Sequence, residues 1–377
     1  MSNQAFKNQD LRQFGHGTPY FMFDSKAVVA NLAAYKRALP KGTEICFAMK
    51  ANSEEAVLKV LDDHGSSFEV ASEHELAMLK KLRVDPGRIV YGTSVKPEAS
   101  IAAFRKYGVT RYAFDSAQEL AKIARQAPGA AVYLRVLVND KAHSVFTMSE
   151  KFGTELKHAV ELLVQARELG LLPYGISFNV GSQARNAEAW ANGIRGIAAI
   201  LKKLADKGII LEALNLGGGF PFSYLPGDGF PGIAAIGEAV GKAVHDLPYP
   251  IRFMAEPGRG LVADAYVLVV GVFADARREN GRWLYVDAGA YNALLETMAY
   301  QGSMRYRIEL LRDSTAALEP CIVTGPTGDS LDVIDKSAML PADVKVGDRL
   351  VVRDVGAYSF VLTTAFNGFP VPPTYKR

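Results

Sequence analysis

Short apolar, β-rich runs alternate with amphipathic helical stretches over the first two thirds of the chain. Eight runs are candidate strands: 44–49, 67–71, 88–92, 111–115, 131–138, 174–179, 212–216 and 251–255. In the stretch 187–205 between two of them, Ile194, Ile197 and Leu201 recur at helical spacing. Strands that alternate with helices pair in parallel, and eight such units in roughly 230 residues match a (β/α)8 barrel. A doubly wound open sheet is the alternative, but eight units favour closure.

The sequence changes character after Gly260, where long helical patterns give way to β-branched runs. Candidate strands follow at 262–273, 283–287, 321–324 and 349–355. A short helical stretch near 293–299 interrupts them. At 377 residues the chain is long enough for two cores, which should pack tightly because no linker separates them. We therefore predict a barrel domain over residues 24–260 and an all-β domain over residues 261–377, which residues 1–23 complete with a strand at 20–23.

Composition argues against several classes of protein. The net charge is +3, and the absence of a run of five basic residues argues against nucleic-acid binding. No apolar stretch approaches the roughly 18 residues that span a bilayer, and the N-terminus lacks a signal-peptide core. The two cysteines, Cys46 and Cys321, cannot build a disulfide framework, and the six histidines lack metal-ligand spacing. We expect a cytoplasmic protein without a bound metal.

Polar and charged residues accumulate at the C-terminal ends of the predicted strands, where a barrel builds its active site. They include Lys50, Glu69, Asp115, Arg135, Asn179, Ser182, Glu256 and Arg259. Lys50 directly follows five apolar residues. A lysine in this position is more often a strand cap that points into water. The alternative is a partly desolvated amine, whose lowered pKa makes it a nucleophile toward carbonyls, and the other residues of the rim favour this alternative.

Two glycine-rich turns, 217–219 and the one that contains Gly258, predict a phosphate site. Backbone N–H groups in such turns approach a ligand closely, and the last two loops of a barrel often bind phosphate. Ser182 adds a hydroxyl donor and Arg259 a forked cation. For 217–219 considered alone, a plain tight turn is an equally good interpretation.

Glu256 narrows the identity of the phosphorylated ligand. An acid beside a phosphate is useful only if it contacts another part of the ligand, such as a ring nitrogen that it keeps protonated. A reactive lysine, a phosphate site and a partner for a pyridinium together indicate pyridoxal 5′-phosphate (PLP). The alternative for Glu256 is a helix-capping or surface glutamate.

With these residues in place, the chain resembles the fold-type III PLP-dependent decarboxylases, the ornithine, lysine and diaminopimelate decarboxylase family, which has an alanine racemase-like fold. The resemblance is greatest to the short bacterial ornithine or lysine/ornithine decarboxylases. The matching runs follow the family order over nearly the whole chain: 47–52, 68–72, 180–183, 217–221, 256–259, 287–296, 325–330, 356–358 and 366–369.

The resemblance implies roles for the matching residues. Lys50 would hold the cofactor as a Schiff base, Glu256 would contact the pyridine nitrogen, and Asp329 of the partner subunit would meet the distal group of the substrate. The implied cofactor residues are Lys50, Glu69, Arg135, Asn179, Ser182, Gly217, Gly218, Gly219, Glu256, Gly258, Arg259 and Tyr358. The implied substrate residues are Asp287, Asp329 and Phe366. We expect a homodimer with shared active sites.

The chain departs from the family at two positions. The family has a cysteine where Gly328 stands, and that cysteine protonates the substrate carbon after CO2 leaves. Here Lys50, Ser330 or water would have to replace it. The family has a histidine stacked on the cofactor ring where Asn179 stands, and asparagine gives up a contact worth about 0.5–1.5 kcal/mol. The space at Gly328 predicts a bulkier substrate, such as an amino-acid conjugate, or decarboxylation with amine transfer to the cofactor.

The sequence thus predicts a PLP-dependent amino-acid decarboxylase of amine or polyamine biosynthesis. Its expected substrate is like ornithine or lysine, or is a larger amino-acid conjugate. The alternatives are decarboxylation-dependent transamination, an amino-acid racemase, a non-catalytic paralogue that binds a partner protein, and a single-domain cofactor carrier. The run 325–330 resembles decarboxylases rather than racemases. Lys50, Glu256 and Arg259 argue against the paralogue, and the long β-domain argues against the carrier.

Overall fold

Eight parallel strands close into a barrel in the computed structural model, which describes residues 6–138, 144–146, 151–300 and 304–377. Helix α1 (Asn8–Arg12) and strand β1 (Tyr20–Phe23) precede the barrel. The ribbon of β7 (Ser144–Phe146) and β9 (Ser182–Ala184) lies outside it. The barrel strands are β2 (Glu44–Ala48), β3 (Ser67–Val70), β4 (Ile89–Tyr91), β5 (Arg111–Phe114), β6 (Ala131–Val136), β8 (Leu172–Phe178), β10 (Ala213–Asn215) and β11 (Arg252–Ala255).

One helix precedes the first barrel strand, seven connect successive barrel strands, and the helices bury their apolar faces. In the longest of them, Ile194, Ile197 and Leu201 are fully buried, as their spacing predicted. Ser72 and Ser116 begin two of the helices, because each hydroxyl accepts a backbone N–H of the first turn. The barrel helices are α2 (Ser25–Ala38), α3 (Glu55–Asp63), α4 (Glu73–Lys81), α5 (Glu98–Tyr107), α6 (Ala117–Gln126), α7 (Ala159–Glu168), α8 (Glu188–Ala205) and α9 (Ile233–Ala243).

The prediction of a (β/α)8 barrel is confirmed. Each of the eight predicted runs overlaps one barrel strand, with ends that differ by one or two residues. The open-sheet alternative is wrong, because β11 pairs in parallel with β2 and closes the ring.

A mixed eight-stranded sheet forms the second part of the molecule. Strand β1 joins it by pairing antiparallel with β12 and parallel with β18. The short helices α10 (Arg259–Val262) and α11 (Glu296–Ala299) flank its first strands. The sheet strands after the barrel are β12 (Tyr266–Arg278), β13 (Gly281–Val286), β14 (Ile308–Leu310), β15 (Leu318–Thr324), β16 (Val333–Pro341), β17 (Arg349–Arg353) and β18 (Thr374–Lys376). The predicted domain limits, 24–260 and 261–377, stay a prediction.

The predicted strand at 262–273 begins four residues too early. Val262 ends α10, and Ala263–Ala265 form a 3-10 turn, so that β12 begins at Tyr266. All of these residues except the half-buried Asp264 are buried where the chain passes from the barrel to the sheet. Packing at this junction decides the local conformation, because strand preference depends strongly on tertiary context.

Hydrogen bonds join the sheet domain to the barrel beside Lys50. The Asn52 side chain donates to the carbonyl of Gly356 at 2.8 Å, and the Tyr358 N–H donates to the carbonyl of Ala51 at 2.7 Å. One continuous hydrophobic core extends through both parts of the molecule. The residues that follow β2 and the loop that carries Tyr358 are therefore held together.

A helix that crosses a bilayer must be both long and apolar. Within the described residues, none is both long and apolar enough to cross a bilayer. The longest, α8 at 18 residues, carries charged side chains on its exposed face.

Candidate active site

Lys50 lies on a single 3-10 turn, Met49–Ala51, directly after the first barrel strand. The neighbouring Met49 and Ala51 are buried, so the turn is fixed by packing on both sides of the lysine. The Lys50 side chain itself is open to a cavity at the C-terminal rim of the barrel. We call this space the rim cavity.

The rim cavity brings together the predicted cofactor residues from strands far apart in the sequence. Ala48 and Phe220 also line it, and neither was predicted. Gly217 was predicted but does not line the cavity, and it belongs to the turn that carries Gly218 and Gly219. The predicted residues that line the cavity are Lys50, Glu69, Arg135, Asn179, Ser182, Gly218, Gly219, Glu256, Gly258, Arg259 and Tyr358.

The glycine turns of the cavity wall leave no room for side chains. A Cβ at Gly217 would lie 1.8 Å from the carbonyl oxygen of Phe178, and one at Gly219 would lie 2.2 Å from that of Gly181. Both glycines also have positive φ, at 64° and 89°. Bare backbone at this place allows close approach of a ligand, as a phosphate group requires. The residues present therefore fit the cofactor that the sequence predicts.

Two carboxylates, Glu69 and Glu256, and three cations, Lys50, Arg135 and Arg259, share the wall of the cavity. Burial, together with the charge of Glu69, raises the pKa of Glu256 to about 7, although Asn215 donates a hydrogen bond to it at 2.6 Å and lowers the value in part. An acid with such a pKa can hold or release a proton near neutral pH.

The expected lowering of the Lys50 pKa is wrong for the protein without cofactor. Burial does act to lower the pKa of Lys50, but Glu69, Tyr358 and Glu256 together outweigh it, so that the pKa is raised. The expectation considered desolvation alone. The neighbouring acids come from β3 and the end of β11, and the sequence around Lys50 gives no sign of them.

The Arg259 guanidinium forms a bidentate ion pair with a carboxylate of the sheet domain. It forms two hydrogen bonds with Glu296, at 2.8 and 2.6 Å, and donates to the hydroxyl of Tyr224 at 2.7 Å. Its carbon also lies 4.7 Å from the ring centre of Tyr358. Both partners of the ion pair are buried, with side chains 4% exposed. Arg259 thus ties the barrel rim to the sheet domain, and its predicted contact with phosphate stays a prediction.

The predicted substrate residues lie in the sheet domain and do not line the rim cavity of the same chain. Asp287 accepts hydrogen bonds from the Thr18 hydroxyl at 2.5 Å and the Gly271 N–H at 2.8 Å. Both of its oxygens are therefore occupied within the sheet, which favours a structural role.

Asp329 and Phe366 lie on neighbouring loops of the sheet domain, around Tyr291. Partial desolvation and the nearby Asp329 carboxylate raise the pKa of the Tyr291 hydroxyl, and the Tyr291 ring stacks on Phe366 at 4.6 Å between ring centres. The Gly328 N–H donates to the Asn367 side chain at 3.0 Å. We call these five residues the loop surface.

Sequence reasoning missed three residues that hold the site in place. Asn215 is two positions before the turn 217–219, so attention to the polar residues that directly precede this turn in the sequence would have found it. Glu296 ends the run 287–296, which carries part of the family resemblance but gave no reason to pair it with Arg259. Tyr224 has no signal in the sequence.

A barrel with a lysine, a half-buried acid and glycine turns at its rim, joined to a mixed sheet, defines a class of enzyme that binds PLP. The profile of the family described as "Pyridoxal-dependent decarboxylase, pyridoxal binding domain" matches residues 25–263. The chain belongs to this family.

Relatives and solved structures agree with the assignment. The lysine/ornithine decarboxylase of Selenomonas ruminantium is 32% identical over 358 residues, which cover 95% of this chain and 89% of that protein. The arginine decarboxylase of Paramecium bursaria Chlorella virus, solved with agmatine, has a TM-score of 0.90 at 26% identity and covers 98% of this chain and 99% of its own. The Selenomonas lysine decarboxylase in complex with PLP and cadaverine has a TM-score of 0.88 at 30% identity, covering 100% and 94%.

The protein is therefore a PLP-dependent amino-acid decarboxylase, a carboxy-lyase. The predictions of family, fold class, cofactor and reaction class are confirmed. The comparisons do not favour a racemase, a transaminase, a non-catalytic paralogue or a cofactor carrier.

Proposed function

We propose that the rim cavity is the catalytic centre and that Lys50 anchors the cofactor there. The observation that carries this proposal is the convergence of Lys50, Glu256 and the turn 217–219 on one cavity. When bound, the cofactor supplies an electron sink for the pair of electrons left on the substrate carbon as CO2 departs.

The residues that line the rim cavity have different proposed roles. Lys50 holds the cofactor covalently and is placed to move protons at the reacting carbon. Glu256 holds a proton at the ring nitrogen, which its raised pKa supports. Asn179, Glu69 and Arg135 border the ring. Ser182, Gly218, Gly219, Gly258, Arg259 and Tyr358 form the side of the cavity that would take the phosphate.

As substrate we propose an amino acid with a distal cationic group, like ornithine or lysine, or a larger conjugate of one. The printed names of the relatives concern lysine, ornithine and arginine. A carboxylate such as Asp329 is suited to such a group. A larger substrate is supported at Gly328, where a Cβ would meet only the Asn367 side-chain oxygen within 4 Å, at 3.7 Å.

We further propose a homodimer in which Asp329 of the partner subunit reaches the rim cavity. The position of the loop surface supports this arrangement: its residues do not line the cavity of their own chain, and Phe366 is 40% exposed. Residues of an active site that lie apart in one chain can meet across a two-fold interface.

Mixing two inactive variants tests the shared site. Lys50→Ala and Asp329→Ala should each be inactive alone, and random reassembly should restore roughly a quarter of wild-type activity, because only mixed dimers carry one intact site. Lys50→Ala mixed with Glu256→Gln is the control. Both residues belong to the cavity of one chain, so every cavity in a mixed dimer still carries one of the two changes and no activity should return. Equal recovery in both mixtures, or none in the first, would contradict a shared site.

We propose the cytoplasm as the compartment. Both cysteines, Cys46 and Cys321, are buried and unpaired. Reducing compartments keep cysteines in this state. Fractionation of cells that express the tagged chain tests the proposal, which recovery with the periplasmic or secreted fraction would contradict.

A panel of L- and D-amino acids tests the proposed function directly. The purified protein with PLP should release CO2 and the matching amine from at least one basic amino acid or conjugate. Lys50→Ala serves as the control for reaction by free cofactor. Release of CO2 at the same rate by both proteins would remove the rim cavity as the catalytic centre.

A further inference from the structure

Asn215 holds the acid of the rim cavity from behind. It ends β10, is 1% exposed, and donates from Nδ2 to Oε1 of Glu256 at 2.6 Å. Its own Oδ1 accepts the backbone N–H of Gly217 at 2.9 Å. Because the amide nitrogen can only donate and the Gly217 N–H can only donate, the two bonds allow one orientation of the Asn215 amide.

The two oxygens of Glu256 therefore have different surroundings. Oε1 faces an N–H donor and cannot direct a proton of its own toward that donor. Oε2 accepts no hydrogen bond from the described part of the chain and is not enclosed, and Glu256 belongs to the cavity wall. A proton on this acid is thus confined to Oε2.

The groups around Glu256 act on its protonation in opposite directions. Burial and the Glu69 carboxylate raise its pKa, whereas the hydrogen bond from Asn215 lowers it. Among these influences, Asn215 acts through direct contact with one oxygen, so it also decides where the proton lies. The titratable groups that interact electrostatically with Glu256 are Lys50, Cys46, Glu69, Tyr133 and Arg135.

We propose that Asn215 is a positioning residue that makes Glu256 a one-sided acid, with its proton held at Oε2 toward the rim cavity. The inference rests on the proposed function, because a ring nitrogen in the cavity needs an acid whose proton faces it. Asn215 does not line the cavity itself. It therefore acts through Glu256 and not on a ligand.

Two substitutions separate positioning from a purely structural role. Asn215→Asp keeps an oxygen to accept the Gly217 N–H but replaces the donor to Glu256 by a second carboxylate oxygen. Asn215→Ala removes both bonds. Tyr133→Phe is the matched control, because the Tyr133 hydroxyl is buried in the same barrel and has no hydrogen-bond partner within the described residues.

The first measurement needs no cofactor. NMR of isotope-labelled glutamate carboxyls in the apoprotein follows the pKa of Glu256, with Glu256→Gln to assign the signal. Loss of a hydrogen bond to a charged acceptor should raise this pKa by roughly one unit or more in Asn215→Asp. The value in Tyr133→Phe should equal that of the wild type.

The second measurement is the dissociation constant of PLP as a function of pH. Asn215→Asp should bind PLP roughly tenfold more weakly than the wild type at about pH 8, with recovery at lower pH, where the introduced acid is protonated and donates again. An unchanged pKa and an unchanged dissociation constant in Asn215→Asp, with effects confined to Asn215→Ala, would overturn the proposal. The two proposals can also fail separately. If Asn215→Asp shifts the Glu256 pKa but the wild-type protein does not bind PLP, the positioning role is supported and the proposed function is contradicted.

Discussion

The rim cavity and the loop surface differ in how far one chain completes them. The rim cavity gathers a lysine, an acid and glycine turns from strand ends, and buried bonds such as that from Asn215 to Glu256 fix them. In the loop surface, Gly328, Phe366 and Asn367 are exposed, and Tyr291 and Asp329 are half-buried. Around Gly328 there is open space, and Phe366 is 40% exposed beside Tyr291.

The difference separates two parts of the reaction. Everything proposed for binding and activating the cofactor is present in one chain. The groups proposed for substrate recognition lie on a surface that would reach a cavity only in the proposed homodimer. Changes in the rim cavity should therefore act on the chemistry of any substrate. Changes in the loop surface should act on the choice of substrate or on assembly.

The largest effect is expected for Lys50→Ala. Loss of the covalent anchor should lower kcat on the order of 10⁴-fold or more for every substrate. The reason is that Lys50 both holds the cofactor and moves protons at the reacting carbon in the proposed function. Lys50→Arg is the control that keeps the positive charge, and it should be nearly as inactive. Steady-state kinetics with the best substrate of the amino-acid panel measures the change. Activity within tenfold of the wild type would place the chemistry outside the rim cavity.

A large effect on stability is expected for Glu296→Gln, which breaks the bond between barrel rim and sheet domain. It leaves the Arg259 cation buried without its partner, and breaking such a pair costs about 3–5 kcal/mol. Urea unfolding of the apoprotein measures the loss. The control is Asp246→Asn, because Asp246 and Arg195 form an exposed pair at 3.2 Å. The Asp246→Asn change should lower the free energy of unfolding by less than about 1 kcal/mol. Equal losses of stability in the two variants would show that the buried pair does not join the barrel to the sheet domain.

Glu256 should make the stability of the apoprotein depend on pH. Burial and Glu69 raise its pKa to about 7, so the folded state binds this proton more tightly than the unfolded chain does. The resulting stabilisation is present below the unfolded pKa of about 4.3 and is lost as the pH rises through the folded pKa.

The matched variant Glu256→Gln lacks this proton. Between about pH 5 and pH 8, the wild-type free energy of unfolding should fall by roughly 2 kcal/mol more than that of the variant. Chemical denaturation at several pH values measures both curves. Parallel curves would mean that the acid of the rim cavity keeps an ordinary pKa.

The smallest effect is expected for Gly328→Cys on the loop surface. The Cβ has room, so the free energy of unfolding should change by less than about 0.5 kcal/mol. A thiol at this place should speed amine formation from ornithine or lysine by up to roughly tenfold, if it supplies the proton that the family cysteine supplies. Gly328→Ser is the control of similar size with a weaker acid. Equal rates in all three proteins would count against this use of the loop surface.

Much of the rim cavity was predictable from the sequence, because one rule covers it. The C-terminal ends of parallel strands meet at one rim, so Lys50, Glu69 and Glu256 had to converge once the strands were found. The loop surface was predicted from family resemblance alone. Its residues lie on irregular loops, for which spacing implies no common face.

The errors have a common physical cause, which is contact between distant parts of the chain. Desolvation alone gave the wrong direction for the Lys50 pKa, because acids from other strands outweigh it. The pairing of Arg259 with Glu296 of the sheet domain was not predicted, and the predicted contact of Arg259 with phosphate stays a prediction. The strand expected from residue 262 begins at Tyr266, because packing at the junction overrides strand preference.

The site of covalent attachment tests the central claim most directly. The purified protein with PLP should be yellow, lose that colour on treatment with borohydride, and then carry a pyridoxyl group on the peptide that contains Lys50, as found by mass spectrometry. The peptide from Lys50→Ala, treated in the same way, should carry none. A pyridoxyl group on another lysine of the wild type, or on none, would contradict the assignment of the rim cavity as the place where this enzyme holds its cofactor.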